Sequence, residues 1–311
     1  MVHSAAGVGG AVVMDAAMPL VSIVLPTLNG SRFMAASIES CLRQTYSHLE
    51  IIVVDGGSTD DTLAIVRSFA DERIRIVAQP ANAGRLPGAL NCGFTEARGD
   101  LFTWTQDDDY YAPEALAVMV QALQAEPELG FVYAGFWFVD ADGQVLRPAD
   151  LGEPDELKRR NTVGHCFLYR RAVAERVGEY DVAFYMSEDT HFWVRAYRVT
   201  RMRYLPGNYF YHRLHPASLT MRDYGRFTAL RVSARARRQV LHIPWLEYQR
   251  QLADAYIQEA FAAHAQAAPA RVRRCVAQGV GRNPRWLVNR GVLSIARQAF
   301  LAPRHTHPQA S

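Results

Sequence analysis

Three consecutive carboxylates, Asp107, Asp108 and Asp109, follow the apolar segment LFTW and precede Pro113, where a helical pattern begins. Two like charges about 4 Å apart repel by about 1 kcal/mol in water and by about 4 kcal/mol at an effective dielectric constant near 20. Three such charges at a strand end therefore need a partner that neutralises them. Carboxylate oxygens suit Mg²⁺ or Mn²⁺, and such hard cations also bind phosphates.

Three further polar clusters follow strand-like segments. PTLNGS, at residues 26–31, is a tight turn whose amides and hydroxyls suit a base and a ribose. DGGSTDD begins with Asp55, whose carboxylate can accept hydrogen bonds from a base edge or a ribose. QPANAGR ends in Arg85, and a guanidinium group matches the geometry of a diphosphate. With the carboxylates, these clusters indicate a nucleoside-diphosphate ligand.

The elements that carry these clusters alternate along the chain. Apolar, β-branched segments at 20–26, 49–57, 74–80 and 101–106 predict strands, and helical patterns separate them. This alternation predicts an α/β fold with a Rossmann-like, mostly parallel central sheet flanked by helices. Because the carboxyl ends of parallel strands lie along one rim, we expect the four polar clusters to converge there.

Each cluster alone has an ordinary structural explanation. STDD is typical of a helix cap, DGG of a turn, and DDD of a solvated turn. Neither a G-x-G-x-x-G nor a GxxxxGK[ST] motif is present, which argues against a dinucleotide-binding Rossmann enzyme and a P-loop NTPase. The convergence of the clusters therefore carries the functional prediction.

The second half of the chain is less regular. We expect a strand and turn over 131–143, a strand followed by a helix over 164–181, a helix over 187–199 and an extended segment over 201–220. His165 either lines an acceptor pocket or is a buried histidine with its own hydrogen-bond partner.

The composition excludes several classes of protein. Of the 311 residues, 49% are apolar, and no apolar stretch approaches the roughly 18 residues that span a bilayer. Residues 1–17 lack a basic start and contain Asp15, so we expect a disordered lead and no signal peptide. The cysteines form no CxxC pair and are expected to be reduced thiols in a cytoplasmic protein: Cys41, Cys92, Cys166 and Cys275.

Charge is distributed unevenly between two parts of the chain. Residues 1–221 carry 19 Arg and Lys against 27 Asp and Glu, whereas residues 222–311 carry 15 against 4. An anionic surface is the expected partner of this Arg-rich, helical tail, and a nucleic acid is not. The segment 282–301 mixes arginines with large apolar residues, which suits an interfacial membrane helix or a helix packed on the protein with its arginines in solvent.

Residues 20–221 resemble the family 2 nucleotide-sugar glycosyltransferases, which have the GT-A fold. The resemblance is carried in order by VSIVLPTLNGSRFMAASIESCLRQTYSHLEIIVVDGGSTDDT, NAGRLPGALNCGFTEARGDLFTWTQDDDYYAPEAL, GEYDVAFYMSEDTHFWVRA and YHRLHPASLT. It implies a GT-A catalytic domain over 18–221, after the lead 1–17 and before a helical basic extension over 222–311.

The resemblance also implies roles for individual residues. Asp189 matches the catalytic base, with Glu188 as the competing carboxylate, and Asp108 and His215 match ligands of Mg²⁺ or Mn²⁺. Two departures from the family pattern are Gly56, which leaves the donor base open, and Gln106, which replaces the first Asp of the D-x-D motif. Nucleotide-sugar binding is implied for Pro26, Thr27, Asn29, Asp55, Arg85 and Asp107.

The implied activity is an inverting, metal-dependent transfer of a sugar from a nucleotide-diphosphate sugar to a glycan or lipid-linked acceptor. Such an enzyme would serve bacterial cell-surface polysaccharide or glycolipid synthesis, in the cytoplasm or at the inner face of the membrane through the basic tail. One alternative is a sugar-phosphate nucleotidyltransferase, although PTLNGSRF is poor in the glycines and basic residues which that activity needs. The other is a non-catalytic sugar-binding scaffold, although Asp108 and Asp189 are both present.

Overall fold

The computed structural model describes residues 18–79, 83–219 and 225–302, so the expected lead over 1–17 lies outside the described residues. The described strands are β1 (Val21–Thr27), β2 (Leu49–Asp55), β3 (Ile74–Ala78), β4 (Leu101–Trp104), β5 (Tyr110–Tyr111), β6 (Leu129–Val139), β7 (Val145–Pro148), β8 (Cys166–Arg170) and β9 (Arg201–Arg213). The described α-helices are α1 (Met34–Leu42), α2 (Thr62–Ser68), α3 (Arg85–Glu96), α4 (Ala115–Ala125), α5 (Arg171–Val177), α6 (Glu188–Val199), α7 (Gly225–Val240), α8 (Trp245–Ala265), α9 (Pro269–Arg282) and α10 (Arg290–Leu301).

All nine strands join one sheet in the order β3-β2-β1-β4-β8-β6-β9-β5, with β7 paired to β6. Strands β1 to β4 pair in parallel, as do β6 and β9, whereas β8 runs antiparallel to both β4 and β6. The predicted α/β fold with a mostly parallel sheet is confirmed. The short antiparallel strands β5 and β7 were not expected from the sequence.

Two apolar layers cover the sheet, and its central strands are therefore buried on both faces. Every residue of β1 and β2 is buried, which explains their continuous apolar sequences. Successive β1 side chains point to opposite faces. Ile23 belongs to one apolar cluster with Ile38 of α1 and Met119 of α4, whereas Val24 belongs to the other with Leu90 of α3 and Trp193 of α6.

The strand register brings four carboxyl ends to one rim. Thr27 at the end of β1 lies opposite Asp55 at the end of β2, and Asp55 lies opposite Ala78 at the end of β3. Trp104 at the end of β4 pairs with Val24 on the other side of β1. The loops that follow these strands therefore share one edge of the sheet.

The C-terminal helices form two kinds of contact. Helix α7 packs on α6, and its Ala236 belongs to the same apolar layer as Trp193. Helices α8, α9 and α10 enclose a smaller apolar cluster of their own. The division of the chain near residue 221 stays a prediction, and α7 contacts elements on both sides of it. Within the described ranges, no helix combines the length and hydrophobicity that a bilayer crossing requires.

We predict that Gly93→Ala destabilises the protein by about 1–3 kcal/mol, the usual cost of overpacking a core. A Cβ at Gly93 of α3 would overlap Val24 and approach Val54 Cγ2 to 2.9 Å. Gly281→Ala in α9 is the matched control, because nothing lies within 4 Å of its added Cβ. The control should be neutral or stabilising by up to about 1 kcal/mol. Urea unfolding measures both, and an equal effect of the two substitutions would contradict close packing of α3.

Candidate active site

A cavity of about 400 Å³ opens at this rim. Its walls come from three of the four polar clusters and from the residues that follow β9. Asp55 and Asp189 are not among its lining residues. The predicted site residues that do line the cavity are Pro26, Thr27, Asn29, Arg85, Asp107, Asp108 and His215.

The first and fourth clusters meet through one hydrogen bond. Thr27 Oγ1 donates to Asp107 Oδ2 at 2.5 Å. Gly30 lies so close to this pair that a Cβ would overlap the Asp107 carboxylate. Burial raises the pKa of Asp107 to about 7, with the charges of Asp108 and Asp109 acting in the same direction. The Asp107 carboxyl is therefore ready to exchange a proton for another positive charge near neutral pH.

Asp108 and His215 form the second contact across the cavity. His215 Nε2 lies 2.9 Å from Asp108 Oδ2. Asp108 Oδ1 and His215 Nδ1 are both buried, and neither atom has a hydrogen-bond partner among the residues that the structure describes. Burial raises the pKa of Asp108, and the neighbouring Asp109 charge adds to this effect. An oxygen and a nitrogen that lack partners in a buried acidic wall fit a divalent cation.

Asp109 has a different environment from its two neighbours. It is buried, and its carboxylate contacts His212 Nδ1 at 2.9 Å and accepts a hydrogen bond from the Arg213 backbone N–H at 2.8 Å. His165 stacks on His212 with the ring centroids 4.0 Å apart and the planes at 9°. Asp109 thus connects the acidic turn to β9. His165 packs beside His212 with a quarter of its side chain exposed.

Asp109, His165 and His212 also offer ligand atoms within 4.8 Å of one another. The two imidazole rings stack with their planes at 9°, and His212 Nδ1 lies within hydrogen-bond distance of the Asp109 carboxylate. Burial lowers the pKa of His212 to about 4 and that of His165 to about 3, so both rings are neutral at pH 7. The geometry favours a hydrogen-bonded support for the acidic turn over a second metal centre.

The second polar cluster supports the first. Asn29 Oδ1 accepts a hydrogen bond from the Thr59 backbone N–H at 2.8 Å, and the Asn29 N–H donates to Ser58 Oγ at 2.9 Å. The Asp55 carboxylate accepts hydrogen bonds from the backbone N–H groups of Gly57 and Ser58. Asn29 adopts a left-handed backbone with φ of 57°, which asparagine tolerates better than most residues.

Two guanidinium groups face the cavity without a carboxylate partner in the described part of the chain. Arg32 lies over the Phe33 ring at 4.7 Å, and Arg85 lies over the Tyr185 ring at 4.6 Å. Arg85 was expected from the sequence and Arg32 was not, although Arg32 closes the PTLNGSR turn. Gln79 beside the cavity was not expected either, and its buried Oε1 has no hydrogen-bond partner in the described part of the chain.

The predicted catalytic segment begins helix α6. Glu188 and Asp189 lie in its first turn, and Ser187 is the N-cap residue, so Asp189 does not cap the helix. Asp189 Oδ1 accepts the Thr190 N–H at 2.5 Å, and Asp189 Oδ2 accepts the Asn161 amide at 3.1 Å. Glu188 is 5% exposed, and its Oε2 has no hydrogen-bond partner within the described ranges.

Burial raises the pKa of both adjacent carboxyls, and it raises the pKa of Glu188 to about 8 with help from the Asp189 charge. Hydrogen bonds from Thr190 and Asn161 and the charge of Arg237 oppose the rise in pKa at Asp189, and backbone hydrogen bonds oppose it at Glu188. Asp189 therefore differs from Glu188 in the two donors that fix its carboxylate oxygens, and not in the direction of its pKa shift.

Helix α7 supports this segment from outside the region of family resemblance. Ser233 and Ser187 share a hydrogen bond between their hydroxyls. Arg237 is 4% exposed, and its Nε donates to the Leu157 carbonyl at 2.8 Å. Burial lowers the pKa of Arg237 to about 10, while the Asp189 charge opposes that shift, so the guanidinium stays charged. The segment around Asp189 is thus held in place by contacts that involve residues 233–237.

Comparison with known sequences identifies related proteins. The sequence model of the family described as Glycosyl transferase family 2 matches residues 22–178. An uncharacterized glycosyltransferase of Rickettsia prowazekii is 28% identical over 216 residues, covering 65% of this chain and 66% of that protein. The uncharacterized glycosyltransferase EpsJ of Bacillus subtilis is 33% identical over 226 residues, covering 65% and 63%. The chain thus spans less than two thirds of the length of these relatives.

Solved structures show the same fold at low sequence identity. Staphylococcus aureus TarS 1–349 in complex with UDP-GlcNAc is 17% identical, with a TM-score of 0.61 over 88% of this chain and 83% of that one. The mannosyltransferase PcManGT from Pyrobaculum calidifontis, in complex with GDP-Man and Mn²⁺, is 18% identical, with a TM-score of 0.58 over 92% and 85%. The expected GT-A fold is therefore confirmed.

We predict that Glu188→Gln stabilises the protein more at pH 8 than at pH 5. The pKa of Glu188 is about 8 when folded against an ordinary value of 4.5, so the folded state binds the proton more tightly. Wild-type stability is then fully retained below about pH 4.5 and falls as the pH rises toward 8. The neutral glutamine avoids this loss, and we expect a gain of at least about 1 kcal/mol at pH 8.

Chemical denaturation at the two pH values measures this difference. Glu175→Gln is the control, because Glu175 is exposed on α5 and forms no ion pair with any described residue. Its effect should be the same at both pH values. A Glu188→Gln variant that behaves like this control would show that Glu188 is ionised at little cost.

Proposed function

The chain belongs to glycosyl transferase family 2, and from this premise we propose that it transfers a sugar from a nucleotide-diphosphate sugar to a hydroxyl acceptor with inversion. One observation carries the proposal. Seven residues that the resemblance assigns to the donor and its metal, Arg85 among them, line a single cavity together with Arg32. Neither guanidinium group has a carboxylate partner in the described structure.

The donor half of the proposal follows from the cavity walls. Thr27 and Asn29 lie on the turn proposed for the nucleoside, and Arg32 and Arg85 supply positive charge for the diphosphate. TarS and PcManGT are seen with a UDP sugar and a GDP sugar respectively, so the proposal leaves the base of the donor open. Gly56 replaces the usual second Asp of the family, so the sequence does not choose between uracil and guanine as the donor base.

We place Mg²⁺ or Mn²⁺ on Asp108 and His215, with Asp107 beside them. The buried atoms without partners on Asp108 and His215 and the raised pKa values of both carboxyls fit this assignment. Such a cation would stabilise the negative charge that the leaving diphosphate gains. Arg85 adds charge stabilisation from the chain itself.

The proposed reaction is a single displacement. The acceptor hydroxyl oxygen forms a bond to the anomeric carbon while the bond from that carbon to the diphosphate oxygen breaks. The electron pair of the broken bond leaves with the nucleotide diphosphate, and the hydroxyl proton passes to Asp189. Its hydrogen bonds from Thr190 and Asn161 hold the carboxylate oriented for that step.

The acceptor in this proposal is a growing glycan or a lipid-linked glycan of the bacterial cell surface. The enzyme would act in the cytoplasm, and a lipid-linked acceptor would bring it to the inner face of the membrane. The exposed arginines of the C-terminal helices are compatible with that location.

We predict that Asp108→Asn abolishes the gain in nucleotide-diphosphate affinity that Mn²⁺ gives the wild type. The amide removes the charge that would hold the cation but keeps the size of the side chain. Titration calorimetry with UDP and GDP, each with and without Mn²⁺, measures this gain. Asp142→Asn on the exposed β6–β7 turn is the control and should keep it. An unchanged Mn²⁺ effect in Asp108→Asn would remove Asp108 from the metal site.

We predict that Asp189→Asn lowers turnover at least about a hundredfold, the low end of general-base effects, and leaves donor affinity nearly intact. Asparagine keeps the hydrogen bonds of the segment but cannot take the proton at neutral pH. Steady-state transfer or donor hydrolysis measures turnover, and Glu188→Gln serves as the comparison. If Asp189→Asn is active and Glu188→Gln is inactive, the base is Glu188; if both are active, neither carboxyl is the base.

A further inference from the structure

Helix α10 has two apolar faces, and only one of them is covered. Val292, Ile295 and Ala299 are buried against α8 and α9. A second row of side chains, Arg290, Leu293, Arg297 and Phe300, recurs at spacings of three and four residues, so it follows one side of the helix. We call these four residues the α10 stripe.

The α10 stripe is exposed and has no charge partner among the residues that the structure describes. Leu293 is 50% exposed and Phe300 61% exposed, and an apolar patch that is contiguous along a helix is more informative than a single exposed side chain. Arg290 and Arg297 are exposed and form no ion pair within the described ranges. Leu287 and Val288, just before α10, are 54% and 82% exposed, which extends the apolar surface at its amino end.

The acidic residues of the adjacent helix α8 do not offset this positive charge. Glu259 is buried and paired with Arg231 and Arg271. Asp254 accepts the Trp286 indole N–H at 3.2 Å, and Glu247 interacts with Arg250 near the start of α8. Residues 261–302 include no acidic residue, so the chain segment that carries the stripe supplies no carboxylate to neutralise its arginines.

We propose that the α10 stripe lies in the interface of an anionic lipid bilayer, with Leu293 and Phe300 among the acyl chains and Arg290 and Arg297 at the headgroup phosphates. Apolar and basic residues interleaved on one exposed helix side are what an interfacial helix needs. Each arginine near an anionic leaflet adds electrostatic attraction. The stripe deepens the proposed function, since a lipid-linked acceptor would lie at that surface.

A second copy of the chain is a poorer occupant of this surface. A two-fold dimer would place the stripe against its own symmetry mate. Four arginines would then share one interface, with no carboxylate in the surrounding segment to separate them. Like charges juxtaposed in this way oppose association. An anionic lipid supplies the missing negative charge without that conflict.

Flotation of the full chain with vesicles tests the proposal. Vesicles of phosphatidylcholine alone are compared with vesicles that contain phosphatidylglycerol, at low and high NaCl. The wild type should bind the anionic vesicles, bind them more weakly at high salt, and bind the neutral ones poorly. Leu293→Gln combined with Arg297→Gln should lower the partition coefficient at least about tenfold. Both side chains are exposed, so the fold should persist.

The matched control combines Leu146→Gln with Arg159→Gln, an exposed leucine and an exposed arginine outside the C-terminal helices. It should bind anionic vesicles like the wild type. Equal binding by the control and the stripe variant, or equal binding of neutral and anionic vesicles, overturns the proposal. A stable dimer in light scattering that Leu293→Gln with Arg297→Gln dissociates would assign the stripe to a second copy instead.

Nucleotide titration of the same preparations separates this test from the proposed function. A stripe variant that no longer binds anionic vesicles but keeps its affinity for UDP or GDP supports the stripe as a membrane-binding surface, whatever reaction the protein catalyses. A wild type that binds anionic vesicles but neither nucleotide would leave the surface standing and remove the proposed donor.

Discussion

The site depends on keeping three adjacent carboxyl groups out of water at the end of β4. Each of them meets a different partner: Thr27 bonds Asp107, His215 contacts Asp108, and His212 holds Asp109. These partners come from β1 and from the end of β9, so the acidic turn joins distant parts of the sheet. An unpartnered buried charge is costly, and the loops around the cavity are therefore fixed by the need to satisfy this turn.

The same turn shows how one motif divides its tasks. Asp109 accepts bonds from the Arg213 backbone and His212 and acts as a structural anchor. Asp107 and Asp108 line the cavity instead, where a positively charged ligand could reach their carboxylates. Three acids adjacent in sequence thus have different surroundings, and they are not equivalent as candidate ligands.

Much of the fold and of the cavity at the sheet rim could be predicted, because β-branched strands buried on both faces and the polar turns that follow them are local signals. The direction of β8 and the short strand β5 could not, since they depend on pairing partners distant in sequence. Arg32 was missed because nothing local distinguishes a cavity arginine from a surface one. The support that Arg237 gives the segment around Asp189 could not be predicted either, because it rests on a long-range contact with Leu157.

The contact between α7 and the start of α6 has a consequence for synthesis on the ribosome. The cavity at the sheet rim draws its described walls from residues 26–219, whereas Ser187 and Leu157 contact Ser233 and Arg237 of α7. Because chains fold from the amino end as they emerge, the cavity can assemble before the segment around Asp189 is held in place. The nascent chain would then form its cavity first and fix this segment only after α7 has docked.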